Sequence, residues 1–112
     1  MGVVFHVFKR LGFGHKEKVY QAALAKEFRD KNIECKEQIR YKLKYKDQDL
    51  GIHILDFLVL NKIILETKQR TIITTKDIDQ LYRYLKVTNL KLGIIITFTS
   101  EGVRYKRVVN LR

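Results

Sequence analysis

Three acidic residues of this chain, Glu17, Asp56 and Glu66, lie in apolar surroundings, unlike the other nine. Asp56 interrupts the apolar run 52–60, and Glu66 ends the run 63–66. An ionised carboxylate that is buried without a partner costs several kcal/mol, so these residues need a countercharge. Hard carboxylate oxygens without neighbouring Cys or paired His favour Mg²⁺ or Mn²⁺ over Zn²⁺. We therefore predict a metal site held by Asp56 and Glu66, to which Glu17 reaches from a helix.

Lys68 follows Glu66 by two residues, so both side chains lie on the same face of a strand. Its ammonium group can supply the remaining positive charge or hold a water molecule. A metal ion held by Asp56 and Glu66 could lower the pKa of a bound water and bind a phosphodiester oxygen. The pattern therefore favours hydrolysis of a phosphodiester.

The same residues allow two alternatives. The two strand carboxylates could instead pair with Lys68 or Arg70 in a buried ion-pair network. Glu17, taken alone, is typical of an acidic residue that the helix dipole favours in a first turn. In either case no metal would be needed.

A later segment places Gln80 and Tyr84 one helical turn apart, next to Arg83. Gln80 could bind a phosphate or the water of a metal ion, and Tyr84 could stack on a base or hydrogen-bond to a nucleic-acid backbone. Periodicity alone makes both of them ordinary boundary residues. The three histidines share no metal-ligand spacing and are interpreted as surface or boundary residues.

Composition indicates one compact domain of 112 residues, because 46% of them are hydrophobic. The single cysteine, Cys35, excludes an internal disulfide framework and a cysteine-based zinc site, so we expect a reducing, cytoplasmic environment. The N-terminus lacks the pattern of a secretory signal. The longest apolar runs are far shorter than the ~20 residues that span a bilayer, so we expect no membrane insertion.

The formal net charge is +11, which makes a polyanion, and nucleic acid in particular, the expected partner. The alternative is that a basic surface only keeps the protein soluble. Contacts to a nucleic-acid backbone would carry no sequence information. The basic residues expected to make such contacts are Arg40, Lys42, Lys44, Lys46, Arg83, Arg104, Lys106, Arg107 and Arg112.

The apolar periodicity predicts an α/β fold with the element order α-α-β-β-β-α-β-β. Thr74 or Thr75 is the expected cap of the third helix. In the second helix, one stripe holds Glu17, Tyr20, Leu24 and Phe28, so Glu17 faces the core side. The predicted elements are helices over about 3–11, from about 15 and over 76–87, and strands from about 33 to 46 and over 51–60, 63–69, 90–99 and 103–111.

The hairpin that carries the strand carboxylates must be irregular if they share a metal ion. A two-residue turn through Asn61 and Lys62 would place Asp56 opposite Thr67, on the other face of the sheet from Glu66. A three-residue loop, or a bulge near Asp56, would restore a common face. The metal site therefore predicts such an offset.

Several short segments resemble the GxxExxY family, a branch of the PD-(D/E)XK nuclease superfamily. The segment GHKEKVY at 14–20 matches the family signature, and Glu66, Thr67 and Lys68 match its E-x-K element. The resemblance covers about residues 3–110. Its other elements are Leu11 with Gly12, the segment 56–59, Gln80 with Tyr84 and Leu85, the segment 93–96 and the segment 107–109.

This resemblance implies a restriction-endonuclease-like core, in which helices flank a central mixed β-sheet and the acidic residues lie on a bent hairpin. It also implies that Asp56 and Glu66 bind Mg²⁺ and that Lys68 positions or activates the attacking water. Glu17 would be the additional carboxylate from a helix. Gln80 would be the glutamine that follows the E-x-K strand.

The chain departs from the family pattern at four positions that concern substrate handling. They are Phe8, Phe13, Ile54 and Asp77, where histidine, proline, arginine and histidine are common.

The leading hypothesis is a deoxyribonuclease that uses Mg²⁺ or Mn²⁺ and cleaves DNA, with RNA or branched DNA as alternative substrates. Among nucleases, a junction-resolving endonuclease is second to an exonuclease or general nuclease. The alternative from another class is a non-catalytic nucleic-acid-binding module that retains the nuclease fold. A homodimer that completes a DNA-binding groove is also expected, because the chain is small.

Overall fold

The protein is described by a computed structural model over residues 1–111. Arg112, one of the predicted backbone contacts, lies outside the described residues. None of the helices within residues 1–111 is long and apolar enough to span a bilayer. The elements are α1 (Gly2–Leu11), α2 (Glu17–Asp30), β1 (Cys35–Tyr45), β2 (Gln48–Val59), β3 (Ile63–Lys68), α3 (Thr75–Thr88), β4 (Leu92–Thr99) and β5 (Gly102–Val109).

The five strands form one mixed sheet in the order β1-β2-β3-β4-β5. Neighbouring strands are antiparallel except for β3 and β4, which are parallel and are connected through α3. A parallel connection needs a crossover, and the helix supplies it. The predicted α/β class and element order are confirmed.

Helices cover both faces of the sheet and create two cores. On β4, Ile94 and Ile96 belong to the core under α1 and α2, whereas Ile95 belongs to the core under α3. This alternation follows from the two-residue period of a strand. A strand that is apolar on both faces is expected where both faces are covered.

The loop between α1 and α2 is held by hydrogen bonds. The Tyr20 hydroxyl donates to the Gly12 carbonyl (2.5 Å), and the His15 N–H donates to the Tyr20 hydroxyl (3.3 Å). Gly12 and Gly14 have φ angles of 70° and 106°, which disfavour other residues. The second helix therefore begins at Glu17 rather than near His15.

The hairpin between β2 and β3 has the predicted offset. Val59 pairs with Ile63, so the loop contains three residues, 60–62. Leu60 and Asn61 adopt positive φ angles of 56° and 55° in this loop. Continued by one residue beyond the last pair, Phe57 with Leu65, this register brings Asp56 opposite Glu66. The prediction of an irregular hairpin is confirmed.

Strands β1 and β2 are long and form a two-stranded ribbon that extends past the rest of the sheet. Only residues 57–59 of β2 pair with β3. Near the point where the ribbon leaves the sheet, Gln38 has a positive φ of 48°. The side chains of β2 change face there, because Phe57 packs in the α1–α2 core whereas Leu55 packs in the α3 core. Asp56 lies at this change of face.

The outer part of the ribbon is exposed although its sequence is apolar. Within the apolar run 52–60, Ile52 and Ile54 are 47% and 48% exposed. They lie opposite Lys42 and Arg40 on β1. No helix covers this face of the ribbon within residues 1–111, so apolar and basic side chains share it.

The cap of α3 yields a stability prediction. The Thr74 hydroxyl accepts a hydrogen bond from the Asp77 N–H (3.3 Å), and the Asp77 carboxylate accepts one from the Thr74 N–H (2.9 Å). We expect Thr74→Ala to lower the free energy of unfolding by about 1 kcal/mol. Urea denaturation measures the loss. The neighbouring Thr75→Ala, which removes no cap, should change it by less than about 0.5 kcal/mol, and equal losses would contradict the assignment.

Candidate active site

Asp56 and Glu66 meet where β2 and β3 diverge. The Asp56 N–H donates to Glu66 Oε2 (2.8 Å), and the Thr67 N–H donates to Asp56 Oδ2 (2.8 Å). Each carboxylate thus accepts from a backbone N–H of the opposite strand, just beyond the last backbone pair, Phe57 with Leu65. The two side chains bridge the diverging backbones and line the start of the cleft between them.

This pair of carboxylates is electrostatically unfavourable without a cation. Burial, and next the charge of Asp56, raise the pKa of Glu66 from 4.5 to about 8, although the Asp56 N–H and the Lys68 charge act in the opposite direction. Glu66 is only 6% exposed. Within residues 1–111, no salt bridge involves Asp56 or Glu66. The predicted alternative of a buried ion-pair network is therefore wrong.

The cations that could have neutralised this pair are bound elsewhere. Arg70 Nη2 lies 2.5 Å from Asp77 Oδ1, and Lys68 Nζ lies 3.9 Å from the same oxygen. Burial alone would raise the pKa of Asp77, but hydrogen bonds from Thr74 and Arg70 and the Lys68 charge outweigh it and lower that pKa. Asp77 therefore holds both cations at the N-terminus of α3.

Lys68 also contacts the predicted glutamine. Its Nζ donates to Gln80 Oε1 over 3.4 Å, so β3 and α3 position the ammonium group together. Lys68 and Glu66 both lie on the face of β3 that α3 covers, because they pair with Thr97 and Ile95 of β4. The structure thus brings Lys68, Gln80 and Glu66 to one region.

Glu17 reaches the site from the first turn of α2. Its Oε2 accepts hydrogen bonds from the Thr67 hydroxyl (2.8 Å) and from the Gln21 amide (3.1 Å). The same Thr67 hydroxyl lies 3.1 Å from Asp56 Oδ2. Gln69 fixes the start of the helix by accepting from the Glu17 N–H over 3.0 Å. Thr67 thus separates Glu17 from Asp56.

The chemistry of the Asp56–Glu66 pair fits a hard divalent cation. Mg²⁺ is commonly bound through one or two carboxylates and keeps several waters, so two neighbouring carboxylates without a cationic partner are a suitable donor set. Within the described chain, no three His, Cys, Asp or Glu side chains are arranged so that they could hold one metal ion. The role of Glu17 as a third ligand stays a prediction.

Tyr84 lies in the core rather than at the predicted boundary. Only 8% of it is exposed, and the His53 ring packs on it with centroids 4.6 Å apart. Burial, and then the charges of Glu66 and Asp56, raise the pKa of Tyr84, while Arg83 lowers it. The charges of the two carboxylates therefore act on Tyr84, but its ring presents little surface on which a base could stack.

The predicted backbone-binding cations are exposed and spread over several surfaces. On β5, Arg104 and Lys106 pair with Thr97 and Ile95 and so share the α3 face of the sheet. Arg107 lies on the opposite face, and Arg83 lies on α3. The ribbon carries Arg40, Lys42 and Lys44, with Lys46 in its turn.

Sequence analysis did not identify Thr67, Gln21 or Gln69 as parts of the site. Gln21 donates to Thr67 Oγ1 over 2.7 Å in addition to its bond with Glu17. A usable signal existed for Gln21, because it follows Glu17 by one helical turn. Thr67 lies between Glu66 and Lys68 and therefore points to the opposite face, towards α2.

Comparisons with known proteins concern the family and the fold of the chain. The family model of the PD-(D/E)XK nuclease superfamily matches residues 1–108, but it does not distinguish the GxxExxY family. The crystal structure of SSO0001 has the same fold, with a TM-score of 0.65 and 15% identity over 83% of this chain and 50% of that one. The chain thus spans half of that structure. No curated protein matches the sequence.

The raised pKa of Glu66 predicts a pH dependence of stability. Without divalent ions, the unfolded chain loses this proton near pH 4.5, while the folded chain keeps it to about pH 8. The unfolded state binds fewer protons in this window, so the free energy of unfolding should fall as pH rises through it. The contribution of Glu66 to the free energy of unfolding is complete below pH 4.5 and is lost above about pH 8.

Glu66→Gln should remove this contribution, because the amide does not titrate. Thermal unfolding in EDTA between about pH 5 and about pH 9 measures the slope for both proteins. Glu34→Gln, at an exposed position, is the control and should behave as the unsubstituted protein does. The same slope in Glu66→Gln would show that burial of this carboxyl is not its source.

Proposed function

The chain belongs to the PD-(D/E)XK nuclease superfamily, and we propose that it is a deoxyribonuclease that depends on a divalent metal ion. The observation that carries this proposal is the Asp56–Glu66 pair, which lies at a divergence of two strands and has no salt-bridge partner within residues 1–111. A purely structural pair of carboxylates would be expected to recruit Lys68 or Arg70. Here both cations are bound by Asp77.

Asp56 and Glu66 are the residues that would hold the metal ion, Mg²⁺ or Mn²⁺. When bound, such an ion neutralises charge on the phosphodiester and lowers the pKa of a bound water molecule. The backbone N–H groups of Asp56 and Thr67 orient the carboxylates for this role before any ion arrives. Preorganised ligands need little rearrangement on binding.

Lys68 is proposed to orient the attacking water or a phosphate oxygen. The contacts with Gln80 and Asp77 restrict its flexible stem, so the ammonium group stays near Glu66. Hydrolysis then joins the water oxygen to phosphorus and breaks one bond from phosphorus to a sugar oxygen. Glu17, through Thr67, is proposed to hold the α2 side of the site.

The substrate class follows from charge. A net charge of +11 favours a polyanion, and the cations of the ribbon and of β5 suit a phosphate backbone. We further propose membership of the GxxExxY family, on the signature at 14–20. DNA is the proposed substrate, and a homodimer and a preference for branched DNA stay predictions.

Cleavage of defined DNAs tests the proposed function. Linear, nicked and four-way-junction DNA are incubated with the protein, with and without Mg²⁺ or Mn²⁺. We expect cleavage only with the metal, and Glu66→Ala should reduce it by more than about 100-fold because one of two ligands is removed. Glu34→Ala, at an exposed carboxylate, should retain it.

Cleavage that survives in Glu66→Ala would point to another site or to a contaminating nuclease. Melting curves recorded with and without the metal separate an inactive enzyme from a non-catalytic module. Metal binding to the folded state raises the melting temperature through linkage, and Asp56→Ala should abolish that rise. A protein that neither cleaves DNA nor responds to the metal would contradict the proposed function.

The ribbon is expected to contribute electrostatically to DNA binding. The double variant Arg40→Ala with Lys42→Ala should weaken binding to all sequences alike, and it should reduce the slope of log K against log salt by about 0.9 for each phosphate that is no longer neutralised. Binding is measured without divalent ions at several salt concentrations. Lys9→Ala with Arg10→Ala removes the same charges from α1 and is the matched control. Equal effects of the two pairs would show that only net charge matters.

A further inference from the structure

A cavity of about 240 Å³ opens beside the candidate active site. It lies between the α1–α2 loop and the end of β3, and both Glu17 and Lys68 line it. It is smaller than the ~300–1,000 Å³ typical of pockets for drug-sized ligands. Its size therefore suits a single planar ring system attached to a longer molecule that passes the carboxylates.

One wall of this cavity is an exposed aromatic side chain. Phe13 is 53% exposed and makes no ring contact within residues 1–111. Phe5 is 46% exposed, but it packs edge-on against Tyr105, with centroids 6.3 Å apart. The face of Phe13 is thus available to a ligand.

The position of Phe13 is set by the loop rather than by packing of its ring. Gly12 and Gly14 flank it with positive φ angles, and the Tyr20 hydroxyl holds the Gly12 carbonyl. His15 closes the loop, since its Nε2 lies 3.0 Å from the Leu11 carbonyl oxygen. An aromatic group that is presented on a fixed loop loses little conformational freedom on binding.

The remaining lining also suits a neutral, planar ligand. Tyr20 and Phe98 stack with centroids 4.0 Å apart and form an aromatic wall. Glu17 contributes a carboxylate to the lining, whereas the Lys68 ammonium group is held by Gln80 and Asp77, so the cavity does not select an anion such as free phosphate. Gln69 adds an amide that can hydrogen-bond to a heterocycle.

We propose that this cavity binds one unpaired nucleobase of the substrate, stacked on Phe13 and next to the phosphodiester that is cleaved. The proposal rests on the proposed nuclease function, from which it takes the path of the backbone past Asp56 and Glu66. A base within a duplex is stacked and paired, so it can enter only after it has been extruded. The cavity thus predicts a preference for single-stranded ends, flaps or unpaired junction bases.

Fluorescence of 2-aminopurine tests the proposal without cleavage. A single-stranded oligonucleotide that carries this base is titrated with the protein in EDTA, where hydrolysis does not occur. Stacking on an aromatic ring should quench the fluorescence. Phe13→Ala should weaken single-strand binding by about 10- to 100-fold and remove the quenching, because stacking contributes on that scale per base.

Two further variants separate this effect from a general loss of aromatic surface. Phe13→Tyr keeps a ring at the position and should restore quenching and affinity. Phe5→Ala removes a comparably exposed phenylalanine from α1 and should bind as the unsubstituted protein does. Melting temperatures confirm that each variant is folded. Duplex DNA should bind Phe13→Ala and the unsubstituted protein alike.

The outcomes distinguish the two proposals. Unchanged binding and quenching in Phe13→Ala would overturn the nucleobase site while metal-dependent cleavage still supported the nuclease. A loss of affinity that is equal for single-stranded and duplex DNA would overturn it too, because it would indicate a backbone contact. Quenching that depends on Phe13 in a protein that cleaves no DNA would support the base site and contradict the nuclease.

Discussion

The proximity of two carboxylates, Asp56 and Glu66, is the constraint on which the site depends. Burial raises the pKa of Glu66 first, and the charge of Asp56 raises it further, because like charges repel strongly where water is scarce. Backbone N–H groups of Asp56 and Thr67 nevertheless hold the pair in place. Without a metal ion, a proton on Glu66 relieves the repulsion up to about pH 8, and a bound cation can take the place of that proton. The fold thus maintains a place for positive charge.

Asp77 binds the two cations that could otherwise pair with Asp56 and Glu66. Lys68 already acts on Glu66 through its charge, and an ion pair between them would compete with a metal ion if Asp77 did not bind the ammonium group. Asp77 binds both cations and also caps α3 through Thr74, so one buried carboxylate serves the fold and the site. This explains how, within residues 1–111, a basic protein leaves the buried Glu66 and the half-buried Asp56 without a salt bridge.

Much of this arrangement follows from sequence. Period-two and helical patterns predicted the element order. The need for a common face predicted an irregular hairpin, with either a three-residue loop or a bulge near Asp56, and the structure has the loop. Patterns do not show what covers a strand, so the exposure of Ile52 and Ile54 was missed, as was the burial of Tyr84. The bridge from Gln21 through Thr67 to Glu17 was also missed, because it joins elements about fifty residues apart.

The divergence of β2 from β3 is what makes the two sides of the sheet meet. Along β3, Glu66 and Lys68 face α3, whereas Thr67 faces α2 and Glu17. In a continuous sheet these groups would be separated by the paired backbone of β2. Because the part of β2 before Phe57 does not pair with β3, the edge of β3 is open there, and Asp56 contacts both Glu66 and Thr67. The site therefore requires the change of face at Gln38 and Asp56. A ribbon that continued in the plane of the sheet would pair with β3 and cover its open edge.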